Sequence, residues 1–332
     1  MKYFMGPYVW DETLEDIEAH AQKQNVALER VDSIEEAEAF VFTGGAADAF
    51  PEEIPGNIAW IQHCFTGVEH LIEGGVMPHN DSAEAKQSAR GGSARWANTA
   101  GAFAKPVAEM ALGFILSAGH LHVEIARTKK FDERWEQDAR QVWLYQNKKV
   151  LILGAGGIGT ELIRMLAPFN CEITAVNRSG RAVEGAATVP VSEAMDMTQQ
   201  TARQLWASHD IVVNILPLTP ETEGMIGAGH FETMKETALF INVGRGRTVD
   251  TDALVEALRT RKIAGAGLEV MDPEPLPDEH PLWELDNCTI TPHIGASHRV
   301  ARFHVGELFV ANAQAYLAGE QMPTEVVPGT GY

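Results

Sequence analysis

From Lys148 onward, short apolar runs rich in β-branched residues alternate with longer amphipathic stretches. The runs read KVLILGAG, CEITAVN, DIVVNILPL, ALFINVGRG, IAGAGLEV and CTITPHI. Unbroken apolar runs separated by helical stretches are typical of a parallel sheet covered by helices on both faces. The pattern therefore predicts an α/β domain with a parallel sheet over this part of the chain.

The first part of the chain combines strand-like and helix-like runs in a looser order. FVFTGG (40–45) and IAWIQHC (58–64) predict strands that end in turns, and residues 13–23 predict an amphipathic helix. Residues 79–95 are small, polar and glycine-bearing, which predicts a surface loop or a partly mobile insertion. The run KPVAEMALGFILSAGHLHVEIARTKKF (105–131) predicts one long helix with a proline at its start.

Composition narrows the class of protein. A length of 332 residues predicts two domains, and 45% hydrophobic with 22% charged residues is ordinary for a soluble globular protein. The formal charge of −20 argues against nucleic acid or an anionic membrane as a partner, because both attract basic surfaces. Cys64, Cys171 and Cys288 fit neither a disulfide framework nor a CxxC metal site, so we expect a reducing, cytoplasmic compartment. Neither a signal peptide nor a transmembrane run is predicted.

A glycine-rich turn follows the first strand of the parallel sheet. VLILGAGGIGTELIRML places Gly154, Gly156 and Gly159 between a strand and a helix, the context that a dinucleotide-binding motif requires. Glycine lets the backbone approach a pyrophosphate, which the positive end of the helix then stabilises. The motif predicts a dinucleotide cofactor, although a purely structural turn has the same spacing.

Polar residues at the end of the second strand bear on which dinucleotide is bound. NAD-selective sites usually place an acidic residue here, on the ribose 2′-hydroxyl, whereas this sequence has Asn177. Arg178, Ser179 and Arg181 follow and can donate hydrogen bonds to a phosphate. The cluster predicts a preference for NADP(H), with NAD(H) still possible; the alternative is a solvated turn whose arginines contact only water.

Three chemically distinct residues follow three later strands. The strand ends carry LPLTPET (216–222), NVGRGR (242–247), LEVMDPEP (268–275) and TPHIGAS (291–297). Ligands of open parallel sheets bind beyond the carboxyl ends of the strands. Arg245, Glu274 and His293 are therefore the predicted catalytic residues, each in a segment that the topology can bring to one edge.

Each of these residue types has a task if the substrate is a carbonyl next to a carboxylate. Arg245 can hold the carboxylate and polarise the carbonyl, and His293 can supply or accept the proton. Glu274 can hydrogen-bond the far imidazole nitrogen, fix the ring and favour its protonated form. Taken singly, each has a plainer alternative: a surface ion pair, a loop residue and a core histidine. His120 and His122 are predicted to point in different directions on a helix, so no metal site is predicted.

The segment from about Lys148 to Ser297 strongly resembles the D-isomer-specific 2-hydroxyacid dehydrogenase family. The resemblance is carried by GAGGIG, LPLTPET, INVGRGRTVDTDALVEAL, GAGLEVMDPEPLP, HPLWELDN and TPHIGAS, in order and at suitable spacing. FTGVEHL (65–71) and ANTAGAFAKPVAEMALGFIL (97–116) match more loosely.

The resemblance implies a fold of two domains. A Rossmann-type cofactor domain with a parallel sheet would span residues 103–296. A smaller flavodoxin-like α/β substrate domain would combine residues 1–102 with 297–332. Catalysis would take place in a cleft between them that closes by a hinge, and family members are usually homodimers.

The resemblance also implies site residues. Arg245, Glu274 and His293 would be the catalytic set, with Arg245 and His293 contacting substrate, and the turn Thr66-Gly67-Val68 would present N–H groups to the substrate carboxylate. Further cofactor contacts are Gly157, Ile158, Leu216, Pro217, Thr222, Val243, Gly244 and Glu269. Glu269 stands where the family more often has an aspartate that holds the nicotinamide carboxamide.

These features together predict an NADP(H)-preferring reductase of small 2-oxo acids, such as glyoxylate or hydroxypyruvate. Asn177-Arg178-Ser179 resembles the family's NADP-using glyoxylate and hydroxypyruvate reductases, and Glu274 argues against formate dehydrogenase activity. Two alternatives stay open. One is an NAD-dependent D-2-hydroxyacid dehydrogenase, for example one acting on phosphoglycerate; the other is a dinucleotide-sensing binding protein, because transcriptional corepressors share this architecture.

Overall fold

A computed structural model describes residues 1–131 and 133–326, and all counts below refer to those residues. The strands are β1 (Lys2–Gly6), β2 (Glu29–Arg30), β3 (Ala39–Phe42), β4 (Trp60–His63), β5 (Arg95–Ala97), β6 (Lys149–Leu153), β7 (Glu172–Asn177), β8 (Ala187–Pro190), β9 (Ile211–Asn214), β10 (Leu239–Asn242), β11 (Gly265–Leu268), β12 (Cys288–Ile290) and β13 (Glu325–Val326).

The helices are distributed along the whole chain. They are α1 (Asp11–Gln24), α2 (Glu69–Glu73), α3 (Ala83–Ser88), α4 (Ala104–Gly119), α5 (His122–Thr128), α6 (Arg134–Arg140), α7 (Gly157–Leu166), α8 (Val191–Ala194), α9 (Gln200–Ser208), α10 (Ala228–Thr233), α11 (Thr251–Arg259), α12 (His298–Ala301) and α13 (Val305–Leu317). Within the described ranges, no helix is both long enough and apolar enough to cross a membrane.

The chain divides into two compact units. The first combines residues 1–103 with the described residues from Ala296 on, and the second is Ala104–Gly295. In the first unit, six described strands form one sheet in the order β13-β5-β4-β3-β1-β2. All pairings are parallel except the edge pair β13–β5. The order β2-β1-β3-β4-β5 is that of flavodoxin-like sheets, which confirms the predicted fold of this part.

The second unit has the predicted parallel sheet. Its seven described strands lie in the order β12-β11-β10-β9-β6-β7-β8, and every pairing is parallel. Counted within the unit, the order is 3-2-1-4-5-6 with one further strand, which is the Rossmann arrangement. Leu151, Val212, Phe240 and Ala266 on the central strands are fully buried, as expected for a sheet covered on both faces.

Most of the predicted elements are confirmed, including the six runs after Lys148, the two early strands and the first helix. Residues 79–95 are not only a loop, because α3 lies within them. Its N-cap Ser82 accepts a hydrogen bond from the Ala85 N–H (3.1 Å), which supports the helix. Strand β8 was not predicted, because its four residues, ATVP, are fewer than the apolar runs that marked the other strands of this sheet.

The long helix predicted for residues 105–131 is wrong in one respect: it is broken. Helix α4 ends at Gly119, and Leu121 adopts a left-handed conformation with φ 57°. The Gly119 carbonyl accepts a hydrogen bond from the Val142 N–H (2.9 Å), and a Cβ at Gly119 would lie 2.7 Å from the Val142 oxygen. A contact with a distant segment therefore ends the helix.

The break also corrects the predicted directions of the two histidines. The rings of His120 and His122 stack with centroids 5.9 Å apart, instead of pointing apart as they would on a continuous helix. His120 Nδ1 also lies 2.9 Å from Gln141 Oε1. Among the described residues, no three histidine, cysteine, aspartate or glutamate side chains converge as a metal site requires.

Candidate active site

The glycine turn between β6 and α7 has the geometry of a pyrophosphate cradle. Gly154 has φ 102°, and a Cβ there would lie 2.7 Å from the Ile215 carbonyl oxygen. A Cβ at Gly159 would lie 2.6 Å from the Gly154 oxygen, so both positions require glycine. Around Gly156, by contrast, a Cβ would meet no atom within 4 Å. This open space at the start of a ten-residue helix, whose first residues are Gly157 and Ile158, fits a pyrophosphate.

The turn after β7 is shaped by Asn177 itself. Its Oδ1 accepts hydrogen bonds from the N–H groups of Ser179 (3.2 Å) and Arg181 (3.0 Å), and its Nδ2 donates to the Arg181 carbonyl (2.7 Å). Such local bonds order the turn. The side chains of Arg178, Ser179 and Arg181 are exposed beside it. The turn itself contributes no carboxylate that would repel a phosphate.

The loop after β9 lies near this turn. Thr222 Oγ1 donates to the Pro217 carbonyl (2.6 Å), which closes the loop on itself. The pKa of the Glu221 carboxyl is held below its usual range, first by the Thr219 hydroxyl and also by the nearby positive charge of Arg178. Arg178 therefore lies within electrostatic range of the loop that carries Pro217 and Thr222.

Buried amides hold the loops after β9 and β10 together. Asn214 Oδ1 accepts from the Leu216 N–H (3.2 Å), and Asn242 Oδ1 accepts from the Gly244 N–H (3.1 Å). The two side chains are joined by the bond from Asn214 Nδ2 to Asn242 Oδ1 (2.9 Å). Leu216, Gly244 and the neighbouring Val243 are all buried. The predicted cofactor contacts of both loops are thus fixed by one polar network.

The same network fixes the main chain of Arg245. The Arg245 carbonyl accepts hydrogen bonds from Thr248 Oγ1 (2.7 Å) and Asn242 Nδ2 (3.3 Å). Thr248 Oγ1 also accepts from Asn214 Nδ2 (2.8 Å). The Arg245 side chain is half-buried, and its Nη1 donates to the Gly244 carbonyl (2.9 Å).

A close backbone contact brings the Arg245 segment against the loop that carries Glu274. A Cβ at Gly246 would overlap the Met271 carbonyl group, so the two main chains approach as closely as glycine permits. Because β10, β11 and β12 are parallel neighbours, the segments that follow them all start at the carboxyl end of the sheet. These segments carry Arg245, Glu274 and His293.

His293 and Glu274 are in direct contact. His293 Nδ1 lies 2.6 Å from Glu274 Oε1, and the side chains are 43% and 39% exposed. A carboxylate on one imidazole nitrogen orients the ring. The remaining nitrogen, Nε2, is the one that can exchange a proton with a ligand, which makes the pair a candidate general acid and base.

Glu269 contacts the segment that carries His293. It is 3% exposed, its Oε2 accepts from the Thr291 hydroxyl, and its Oε1 accepts from the Gly295 N–H. The predicted role of Glu269 is a contact with nicotinamide, whereas the structure places its carboxylate against the segment that carries His293.

The turn Thr66-Gly67-Val68 follows β4 in the first unit, whereas Arg245 and His293 lie in the second. The Thr66 carbonyl accepts from Asn98 Nδ2 (2.9 Å), and Val68 is fully buried. The turn is therefore held by its own unit.

Sequence reasoning missed the residues that support the site. These are Asn98, Asn214, Asn242, Thr248, Thr291 and Gly295. The sequence contained a signal for two of them. Asn214 and Asn242 are polar residues within the runs DIVVNILPL and ALFINVGRG. A buried amide requires hydrogen-bond partners, so an asparagine in such a run indicates a buried polar network.

Comparison with known proteins identifies relatives of this chain. The family described as D-isomer specific 2-hydroxyacid dehydrogenase, NAD binding domain, matches residues 112–295. An uncharacterized protein of Corynebacterium melassecola is 43% identical over 332 residues, covering 100% of both chains. The glyoxylate reductase/hydroxypyruvate reductase of Homo sapiens is 41% identical over 176 residues, which is 53% of this chain and 52% of the human protein.

A solved structure shares the fold of the whole chain. A D-isomer specific 2-hydroxyacid dehydrogenase from Xanthobacter autotrophicus Py2, in complex with NADPH and MES, superposes with a TM-score of 0.74 at 23% identity. The alignment covers 100% of this chain and 99% of the other. With the family match over more than half of the chain, these findings settle the classification: the chain belongs to the D-isomer specific 2-hydroxyacid dehydrogenase family and is an NAD(P)-dependent oxidoreductase.

Proposed function

We propose that the protein is an NADPH-preferring reductase of small 2-oxo acids, with glyoxylate and hydroxypyruvate as the leading substrates. The observation that carries the proposal is the contact of His293 Nδ1 with Glu274 Oε1 at 2.6 Å. It supplies an oriented imidazole at the carboxyl end of the sheet, where the segment that carries Arg245 also begins. An acid and a fixed guanidinium at one edge suit a carbonyl that is adjacent to a carboxylate.

The residues divide the reaction between them. The Arg245 guanidinium binds the substrate carboxylate. When bound, the coenzyme supplies the hydride that reduces the carbonyl carbon. His293 Nε2 delivers the proton to the carbonyl oxygen, and Glu274 holds the ring through Nδ1. One hydride and one proton convert the 2-oxo acid to a 2-hydroxy acid, and the reverse reaction returns the proton to His293.

The preference for NADPH rests on the turn after β7. Asn177 orders that turn with bonds to its own main chain, and exposed Arg178, Ser179 and Arg181 offer donors to a 2′-phosphate. Charge-assisted hydrogen bonds contribute roughly 1.5–3 kcal/mol each before solvent screening, enough for a preference of about tenfold or more. The structure of the Xanthobacter relative contains NADPH, and the human relative is named for the two substrates proposed here, glyoxylate and hydroxypyruvate.

The proposal includes a homodimer in the cytoplasm. Phe131 and Trp135 of the second unit are 79% and 71% exposed, and Tyr145 is also exposed. The Arg134 guanidinium lies 5.2 Å from the ring centroids of both Phe131 and Trp135, so these two rings form one exposed patch of the kind that a partner covers. Light scattering of the purified protein should give twice the mass of one chain.

The central experiment follows NADPH oxidation by purified protein with a panel of 2-oxo acids. We expect turnover of glyoxylate or hydroxypyruvate, a higher kcat/KM with NADPH than with NADH, and loss of most of the rate in His293→Ala. An absence of turnover across the panel, combined with NADPH binding, would favour a dinucleotide-sensing protein. Equal kcat/KM for both coenzymes would overturn the assignment of the arginines.

A further inference from the structure

One buried carboxylate is bonded to the chain on both sides of His293. Glu269 directly follows β11, and its two oxygens accept separate hydrogen bonds from Thr291 Oγ1 and the Gly295 N–H. Thr291 lies two residues before His293, and Gly295 lies two residues after it. A third contact comes from the main chain, because the His293 N–H donates to the Glu269 carbonyl (3.1 Å).

The segment held in this way has an unfavourable local conformation. His293 has φ 52°, in the left-handed region that residues other than glycine seldom adopt. Such a residue keeps this conformation only where its surroundings impose it. The Thr291 N–H also donates to the Leu268 carbonyl (3.0 Å), and the bonds to the Glu269 carboxylate add one tie on each side of His293.

We propose that Glu269 is a positioning residue for His293: its carboxylate clamps Thr291 and Gly295, and the clamp keeps His293 Nδ1 in contact with Glu274. The inference rests on the proposed function, in which His293 is the proton donor. It gives Glu269 a task different from the nicotinamide contact that the family resemblance implies.

The length of the side chain matters to this clamp. Aspartate at position 269 would withdraw the carboxylate by about 1.5 Å, one carbon–carbon bond. Hydrogen bonds weaken steeply beyond about 3.2 Å between heavy atoms, so a shorter acid cannot keep both partners without a backbone shift. Glutamate therefore suits this segment, whereas a contact with nicotinamide alone would not demand the longer arm.

Two variants separate the clamp from a nicotinamide contact. Glu269→Asp shortens the arm, and Thr291→Val removes one donor while keeping the shape of the side chain. Thr291→Ser is the matched control, because it retains the hydroxyl. The measurements are kcat, KM for the 2-oxo acid, the Kd of NADPH from its fluorescence, and amide hydrogen exchange at residues 293 and 295 in coenzyme-free protein.

We expect both Glu269→Asp and Thr291→Val to lower kcat about tenfold or more, since small misplacements of a reacting group are costly. The Kd of NADPH should stay within about threefold of wild type, and Thr291→Ser should behave like wild type. Amide exchange at Gly295 should accelerate in Glu269→Asp. Thermal unfolding of each variant checks that it is folded.

Weakened NADPH binding in Glu269→Asp together with unchanged kcat in Thr291→Val would overturn the proposal in favour of a nicotinamide contact. Unchanged amide exchange at Gly295 would overturn it as well. The exchange measurement does not depend on turnover, so the clamp is tested even if wild-type protein reduces no 2-oxo acid, a result that would refute the proposed function alone.

Discussion

His293 Nδ1 and Glu274 Oε1 lie 2.6 Å apart although 19 residues separate them in the chain. Glu274 follows β11 and His293 follows β12, which are neighbouring parallel strands. The sheet therefore places a carboxylate at one nitrogen of an imidazole whose other nitrogen can serve a substrate. A pair of this kind orients the ring.

Replacing Glu274 by glutamine tests the charge of this pair. Glutamine keeps the shape and can still accept a hydrogen bond from Nδ1, but it carries no negative charge. We expect kcat for 2-oxo acid reduction to fall by about 10²-fold, within the range for positioned proton transfer. Steady-state kinetics at saturating NADPH measure it. Glu279→Gln, at an exposed carboxylate in the same loop, is the control and should leave kcat unchanged.

Substituting Asn177 by aspartate tests the coenzyme preference while keeping two of the three hydrogen bonds that order the turn; the bond from Asn177 Nδ2 to the Arg181 carbonyl is lost. An aspartate oxygen can accept the same bonds from Ser179 N–H and Arg181 N–H that Asn177 Oδ1 accepts. The new charge repels a 2′-phosphate but can bind a ribose hydroxyl. We expect KM for NADPH to rise about tenfold or more, while KM for NADH falls or stays constant. A parallel rise of both Michaelis constants would contradict the assignment.

The sheets could be predicted because each buried parallel strand has a signal in its own local sequence. DIVVNILPL and ALFINVGRG are continuous apolar runs, and such runs require a sheet that is covered on both faces. The break between α4 and α5 could not be predicted in the same way. It depends on the Val142 N–H reaching the Gly119 carbonyl, and the local sequence near Gly119 carries no information about that partner.

Only part of the candidate site could be predicted from the sequence, for the same reason. Arg245, Glu274 and His293 stand at strand ends, so the rule that ligands bind beyond the carboxyl ends of strands selected them. The clamp between Glu269 and Gly295 depends on the path of a loop whose residue at position 293 is left-handed. The residue preferences in TPHIGAS do not indicate a left-handed conformation at His293. The residues that hold this loop were therefore missed.

Gly246 tests the contact between the segments of Arg245 and Glu274. A Cβ at this position would overlap the Met271 carbonyl, so Gly246→Ala must displace one of the two main chains. We expect a loss of stability of about 1–3 kcal/mol and a fall in kcat/KM. Chemical unfolding and steady-state kinetics measure the two effects.

Gly229→Ala is the matched control for this substitution. Gly229 lies exposed in α10, and a Cβ there meets no atom within 4 Å. Alanine in place of an exposed helical glycine should stabilise the protein by about 0.5–1 kcal/mol and leave kinetics unchanged. If Gly246→Ala behaved in the same way, the close approach of the two loops would be wrong.

Substitutions at Thr248 test the buried network that holds the Arg245 main chain. Its hydroxyl accepts from Asn214 Nδ2 and donates to the Arg245 carbonyl, so Thr248→Val leaves both groups short of one partner. A buried polar group without its partner costs about 1–3 kcal/mol. We expect this loss in unfolding free energy and a higher KM for the 2-oxo acid, because the Arg245 main chain is released. Thr248→Ser keeps the hydroxyl and should restore most of both quantities.

His63 provides a prediction about pH and the stability of the first unit. It is fully buried between aromatic rings, stacked on Phe42 at 5.8 Å and tilted against Phe65 at 5.6 Å. Burial, and then the neighbouring His70, lower the pKa of His63 from 6.5 to about 3. His63 is therefore neutral in the folded protein at any pH where the protein is expected to work.

Because the folded-state pKa lies below the unfolded value, the unfolded chain binds a proton that the folded chain does not, between about pH 6.5 and 3. The stability contributed by His63 is complete above pH 6.5 and declines by up to about 1.4 kcal/mol per pH unit as the pH falls through that window. Burial also lowers the pKa of His209 and His230, so these two histidines give the second unit the same direction of pH dependence.

Chemical unfolding at pH 7 and pH 5 measures this effect. Between these two pH values, His63→Phe should lose less unfolding free energy than wild type. His79→Gln, at an exposed histidine, should match wild type, and an unchanged pH dependence in His63→Phe would show that the buried imidazole is not responsible.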